Sequence, residues 1–108
     1  MSIKKSVVLF SGNGSNLKNL LENSSNIKDK LVYVGAFTNN SKAGGIEICQ
    51  NFNLDVCVCS GEDINSELSK FLNQHDPDLI VLAGYMKIIP PEIVNQYSGK
   101  IVNIHPSL

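Results

Sequence analysis

Apolar residues arrive along this chain in two alternating rhythms. Residues 6–10 (SVVLF), 31–37 (LVYVGAF), 55–59 (DVCVC), 78–84 (DLIVLAG) and 100–104 (KIVNI) are short apolar runs, most of them rich in β-branched residues, and predict strands. The runs at 6–10 and 78–84 read as strands buried on both faces. Between the runs the spacing turns helical. Leu17, Leu20 and Leu21 keep helical spacing, residues 46–52 form a short amphipathic segment, and Ile64, Leu68, Phe71 and Leu72 share one face of a helix over 64–75. Pro77 stops that helix, leaving His75 at its C-terminal end, where positive charge suits the dipole and exposure to solvent is expected. Pro90 and Pro91 open a last short helix, which Gly99 ends.

Five strand signals alternating with helices imply right-handed crossovers and an α/β fold, a Rossmann-like open sheet of mainly parallel strands with helices on both faces. The 108 residues are read as the nucleotide- or phosphate-binding part of a single domain, without internal repeat, linker or low-complexity tract. The run at 100–104 is followed by His-Pro-Ser-Leu and no covering helix, so the chain is expected to be truncated after its fifth strand.

Two segments carry chemistry. Ser11-Gly-Asn-Gly-Ser-Asn16 joins the first strand to the first helix, an arrangement in which backbone N–H groups and a helix dipole hold a phosphate. Gly12 and Gly14 can both take positive φ, and Ser15 or Asn16 is expected to cap the helix. Leu17 stands where a dinucleotide fingerprint needs its third glycine, and no Gly-Lys-Ser/Thr follows, so neither that fingerprint nor a Walker loop is present. A tight, well-capped turn is the plainer reading; two glycines with several small donors favour the phosphate.

The second segment closes the chain. Alternation along a strand puts Asn103 and His105 on one face, about 6–7 Å apart, with Val102 and Ile104 on the other. Pro106 ends the ladder, leaving an amide and an imidazole at the carboxyl edge of the sheet, where open α/β sheets bind ligands. Imidazole exchanges a proton near neutral pH, and a carboxamide can donate to a developing oxyanion. The alternative is a turn-capping asparagine beside a core histidine.

Composition narrows the partners. The net charge is −1, and the nine cations are all lysine and scattered, which argues against nucleic acid or an acidic membrane. Without arginine, any phosphate falls to backbone amides, a helix N-terminus or lysine. No apolar run approaches the ~18 residues that span a bilayer, and the N-terminus lacks the apolar core of a secretory signal, so a cytoplasmic location is expected. Cys49, Cys57 and Cys59 show no metal-ligand spacing, and Cys57 and Cys59, on one face of a strand, read as small buried hydrophobes, with no metal expected.

The glycine turn at 11–17, the strand and loop Leu82-Ala-Gly-Tyr-Met-Lys-Ile88, and Asn103-Ile-His-Pro-Ser-Leu108 occur in one order that resembles the phosphoribosylglycinamide formyltransferase family, folate-dependent enzymes of purine synthesis. The resemblance covers essentially the whole chain and corresponds to the N-terminal half of that family. It implies that Gly14, Ser15 and Asn16 bind the phosphate of glycinamide ribonucleotide, and that Met86, Lys87, Ile88 and Ile89, with Asn103, bind the co-substrate 10-formyltetrahydrofolate. It further implies that Asn103 hydrogen-bonds the formyl oxygen and that His105 is the general acid and base.

Two departures accompany it. Family members carry an aspartate, well downstream, that orients the histidine, so the 108 residues alone are expected to be inactive and the parent active. Lys87 also stands where arginine is common, keeping the charge without the planar fork. Asn-x-His with Ser-Leu is shared by the wider formyltransferase group, which leaves other acceptors, hydrolysis of formyltetrahydrofolate, or a nucleotide-binding module without catalysis as alternatives.

Overall fold

The computed structural model describes residues 2–61 and 63–104. Its elements are β1 (Lys4–Phe10), α1 (Ser15–Glu22), a single 3₁₀ turn (Ser24–Asn26), β2 (Leu31–Thr38), α2 (Gly45–Asn51), β3 (Val56–Val58), α3 (Ile64–His75), β4 (Leu79–Leu82), α4 (Pro91–Gln96) and β5 (Ile101–Asn103). The strands form one sheet in the order β3-β2-β1-β4-β5, and every pairing is parallel. The expected α/β architecture is therefore present.

Alternation in the two central strands explains the layers. Val7 and Leu9 of β1, with Ile80 of β4, face a core that takes Leu68, Phe71 and Leu72 from α3 and Ile93 from α4. Val8, Phe10 and Val81 face the other way, onto Leu17 and Leu21 of α1 and Cys49 of α2. Residues Val7, Val8, Leu9 and Phe10 are all fully buried, which is why this run shows no polar alternation. Each such side chain contributes about 1.5–3 kcal/mol relative to exposure, so the middle of the sheet dominates the stability.

The chain passes from β1 outward through β2 to β3, then returns to the other side of β1 to build β4 and β5. This reversal places the topological switch point between β1 and β4, where ligands of open α/β sheets bind. At the opposite edge, the Asp78 carboxylate accepts the Lys5 N–H at 2.8 Å and the Asp78 N–H bonds Lys5 O at 2.8 Å. That backbone donor, helped by Lys4, Lys5 and Lys100, holds the Asp78 carboxyl below the usual carboxylate range.

Three local expectations change. Strand β4 stops at Leu82, before the loop in which Gly84 takes φ 78°. Cys57 and Cys59 are half-buried rather than buried, because β3 is a short edge strand. His75 is half-buried, not exposed: Gly35 leaves a gap in β2, and the imidazole fills it edge-on to Phe71 with ring centroids 4.7 Å apart. Among the described residues, no helix is long and apolar enough to cross a membrane, and no group of three or more His, Cys, Asp or Glu could hold a metal.

Candidate functional site

The carboxyl edge of β1 and β4 holds two clefts, one towards each face of the sheet. The smaller, about 160 Å³, is lined by residues 12–16 with Ala83 and Gly84. It is below the usual size of a whole-cofactor pocket and suits a single anionic group. The larger, about 510 Å³, lies between the start of α3 (Asp63, Ile64, Asn65, Ser66) and Met86, Lys87 and Ile88. Met86 and Ile88 are 80% and 89% exposed, so two large apolar side chains stand in water beside a lysine. Exposed apolar groups rimmed by polar ones mark ligand grooves.

The glycine turn differs in detail from expectation. Only Gly14 takes positive φ, at 84°; Gly12 does not. Neither Ser15 nor Asn16 caps α1; Gly14 occupies the cap position, and Asn13 Oδ1 accepts the Ser15 N–H at 3.1 Å. The first amide to find a helical partner is Lys18, bonded to Gly14 O at 2.7 Å. The N–H groups of Ser15, Asn16 and Leu17 therefore precede the helical ladder and point out of its N-terminus, as an anion site requires.

Backbone contact explains the αL conformation. A Cβ on Gly14 would lie 2.7 Å from the Cα of Gly45, and one on Gly45 would lie 2.6 Å from the Phe10 ring. Helices α1 and α2 thus meet through two glycines stacked above β1, and the Gly45 N–H adds a bond to Gly12 O at 3.3 Å.

Pairing registers carry the edge across the sheet. Leu9 pairs with Leu82, and Leu82 with Asn103, so Asn103 sits level with the end of β1, two strands or about 10 Å away. Asn103 is exposed, on the face where Ile101 packs against the α3 and α4 core. It lines neither cleft, whereas Met86, Lys87 and Ile88 line the larger; Ile89 is half-buried against the core instead. His105 lies outside the described residues.

Periodicity misses the centre of this network. Ser11 is buried, donates its hydroxyl to Asn39 Oδ1 and accepts the Met86 N–H at 2.8 Å. Its own N–H bonds Gly84 O at 3.1 Å, and its carbonyl accepts from Asn40 Nδ2 at 3.0 Å. The Asn-Asn pair after β2 was the available signal, legible only as a turn. Tyr85, within the loop after β4, packs edge-on to Phe37 with its hydroxyl buried and, among the described residues, without a hydrogen-bond partner. Burial, with Cys59 adding to it, pushes its pKa up to about 12. Tyr85→Phe removes an unsatisfied oxygen and should raise the unfolding free energy by about 1 kcal/mol, measured by urea denaturation.

Residues 4–108 match the family model described as formyl transferase. The chain belongs to that family. It is 37% identical over 108 residues to phosphoribosylglycinamide formyltransferase of Escherichia coli, across 94% of this chain and 51% of that protein. The solved phosphoribosylglycinamide formyltransferase of Anaplasma phagocytophilum superposes with TM-score 0.85 at 38% identity, over 99% of this chain and 52% of that one. The Brucella melitensis enzyme of that name gives TM-score 0.88 at 28% identity, over 99% and 59%. The chain spans about half the length of the curated bacterial relatives it matches. Both superpositions take in 99% of this chain, so the likeness extends to the whole five-stranded sheet.

Proposed function

We propose that the protein carrying this chain transfers a formyl group from 10-formyltetrahydrofolate to the amine of glycinamide ribonucleotide, a step of purine biosynthesis. The observation that carries the proposal is the pair of unequal clefts flanking one loop. An anion-sized cleft at a helix N-terminus suits the ribonucleotide phosphate, and a larger cleft edged by Met86, Lys87 and Ile88 suits a flat folate with acidic groups.

Each residue then has a task. Gly14, Ser15 and Asn16 hold the phosphate through backbone N–H groups and short side chains; Ser15 exchanges Asn13 Oδ1 for a phosphate oxygen. Met86 and Ile88 lose their exposed apolar surface against the pterin, and Lys87 offers a charge to a carboxylate. The substrate amine adds to the formyl carbon to give a tetrahedral intermediate, and collapse of that intermediate breaks the bond from the carbon to the folate nitrogen. Asn103 donates to the formyl oxygen as negative charge develops on it, and His105 carries the proton from the amine to the departing nitrogen. The chemistry involves small soluble molecules in the cytoplasm and gives no role to a metal, a nucleic acid or a membrane.

Steady-state assay of the intact protein with both substrates is the test. Transfer to the ribonucleotide amine is expected. Release of free formate without a formylated product would replace this reading with hydrolysis, and ribonucleotide binding without folate binding would reduce it to a nucleotide-binding module.

A further inference from the structure

Ser11 touches neither cleft, yet it is bonded to the loops that form both. The loop after β4 separates the clefts: Gly84 lines the smaller and Met86 the larger. Ser11 grips that loop at both residues, giving its backbone N–H to Gly84 O at 3.1 Å and accepting the Met86 N–H on its hydroxyl at 2.8 Å. It is also the residue immediately before the glycine turn.

The polarity of the network is directional. A serine hydroxyl has one proton and two acceptor lone pairs. Asn39 Oδ1 takes that proton, leaving a lone pair aimed at the Met86 N–H. Asn40 fixes the Ser11 carbonyl through Nδ2, and is itself held by its N–H on Thr38 Oγ1 at 3.2 Å and its Oδ1 under the Lys42 N–H at 3.0 Å. One buried hydroxyl thus joins the segments after β1, β2 and β4. The tip of the β4 loop is open to solvent, with Met86 and Ile88 exposed, so its root at Ser11 is where its position is set.

We propose that Ser11 is a positioning residue that couples the two clefts, so that a ligand on the glycine turn and a ligand against Met86, Lys87 and Ile88 each tighten the other. A phosphate ordering residues 12–16 restrains Ser11, and Ser11 restrains the root of the opposite binding loop. The proposal rests on the two-substrate reading of the site. Coupling between sites is reciprocal, so both ligands must gain the same factor.

Isothermal titration of the intact protein tests this with glycinamide ribonucleotide and tetrahydrofolate, a pair that cannot react. In the unaltered protein, saturation with one ligand should tighten the other by about fivefold or more. Ser11→Ala should retain each single-ligand affinity within about threefold and lose the coupling, and in turnover raise both Michaelis constants at saturating co-substrate while kcat holds. Ser11→Thr, which keeps the hydroxyl, should restore the coupling. Asn39→Ala, which leaves the hydroxyl but frees its proton, should weaken it and carries the test if Ser11→Ala does not fold. Independent binding of the two ligands in the unaltered protein, or coupling unchanged in both alanine variants, overturns the role of Ser11. Failure of the unaltered protein to bind either ligand overturns the formyl-transfer reading instead.

Discussion

Replacing Asn103 with alanine is expected to lower kcat for the proposed formyl transfer by about 10²–10³-fold while the dissociation constants of both substrates change little, because the role proposed for it, donor to the oxyanion, acts where charge develops. The position supports the argument. Asn103 is the last residue of β5, paired in register with Leu82 and through it with Leu9, so rigid strands set its place at the edge. Its exposed side chain leaves the amide available to substrate, with no core packing to lose on truncation. A structural role would predict the reverse, a lowered Tm with kcat preserved. Steady-state kinetics combined with titration and a thermal melt separate the two: a rise in KM at constant kcat would show that Asn103 only binds. Asn103→Asp sharpens the contrast, since it keeps the shape but replaces the donor with a negative charge facing the developing oxyanion. It should be at least as damaging as alanine.

Strand and helix positions are legible from periodicity because each reports on one layer. The full burial of Val7, Val8, Leu9 and Phe10 leaves no polar position in the last four residues of β1, and the spacing of Leu68, Phe71 and Leu72 marks one face of α3. The glycine turn is legible as a strand-to-helix connection for the same local reason. Its cap is not. Gly14 caps α1 in place of Ser15 or Asn16 because of a contact with Gly45, 31 positions further along. His75 defied its helix-end position because Gly35 of β2 leaves room for the ring. Ser11 shows the limit most clearly: its hydroxyl partners lie 28 and 75 residues away, and nothing in a local window distinguishes it from any turn serine. Hydrogen-bond hubs between loops are properties of topology, and topology appears only once β4 has returned to the side of β1.

Gly14→Ala is the substitution expected to cost the fold most per atom added. An L-residue at φ 84° pays about 1–2 kcal/mol for its left-handed conformation. The new methyl would also meet the Gly45 Cα at 2.7 Å and the Ile48 Cδ1 at 3.0 Å. The isoleucine can rotate away, but the Gly45 backbone cannot, because it lies against the Phe10 ring. Overpacking of this kind costs about 1–3 kcal/mol, so the total is about 2–5 kcal/mol, a large share of the roughly 5–15 kcal/mol that holds a domain together. Tm should fall by on the order of 10 °C, read by thermal unfolding of the intact protein. Ribonucleotide affinity should fall with it, since displacing α1 from α2 moves the N–H groups at the start of α1. Gly12→Ala is the control that separates strain from function. A Cβ there meets nothing within 4 Å, so Tm should hold. If Gly12→Ala weakens phosphate binding at unchanged Tm, its bare backbone is where the anion comes close; if Gly14→Ala leaves Tm unchanged, the stacked glycines do not hold α1 against α2 and this account of the turn fails.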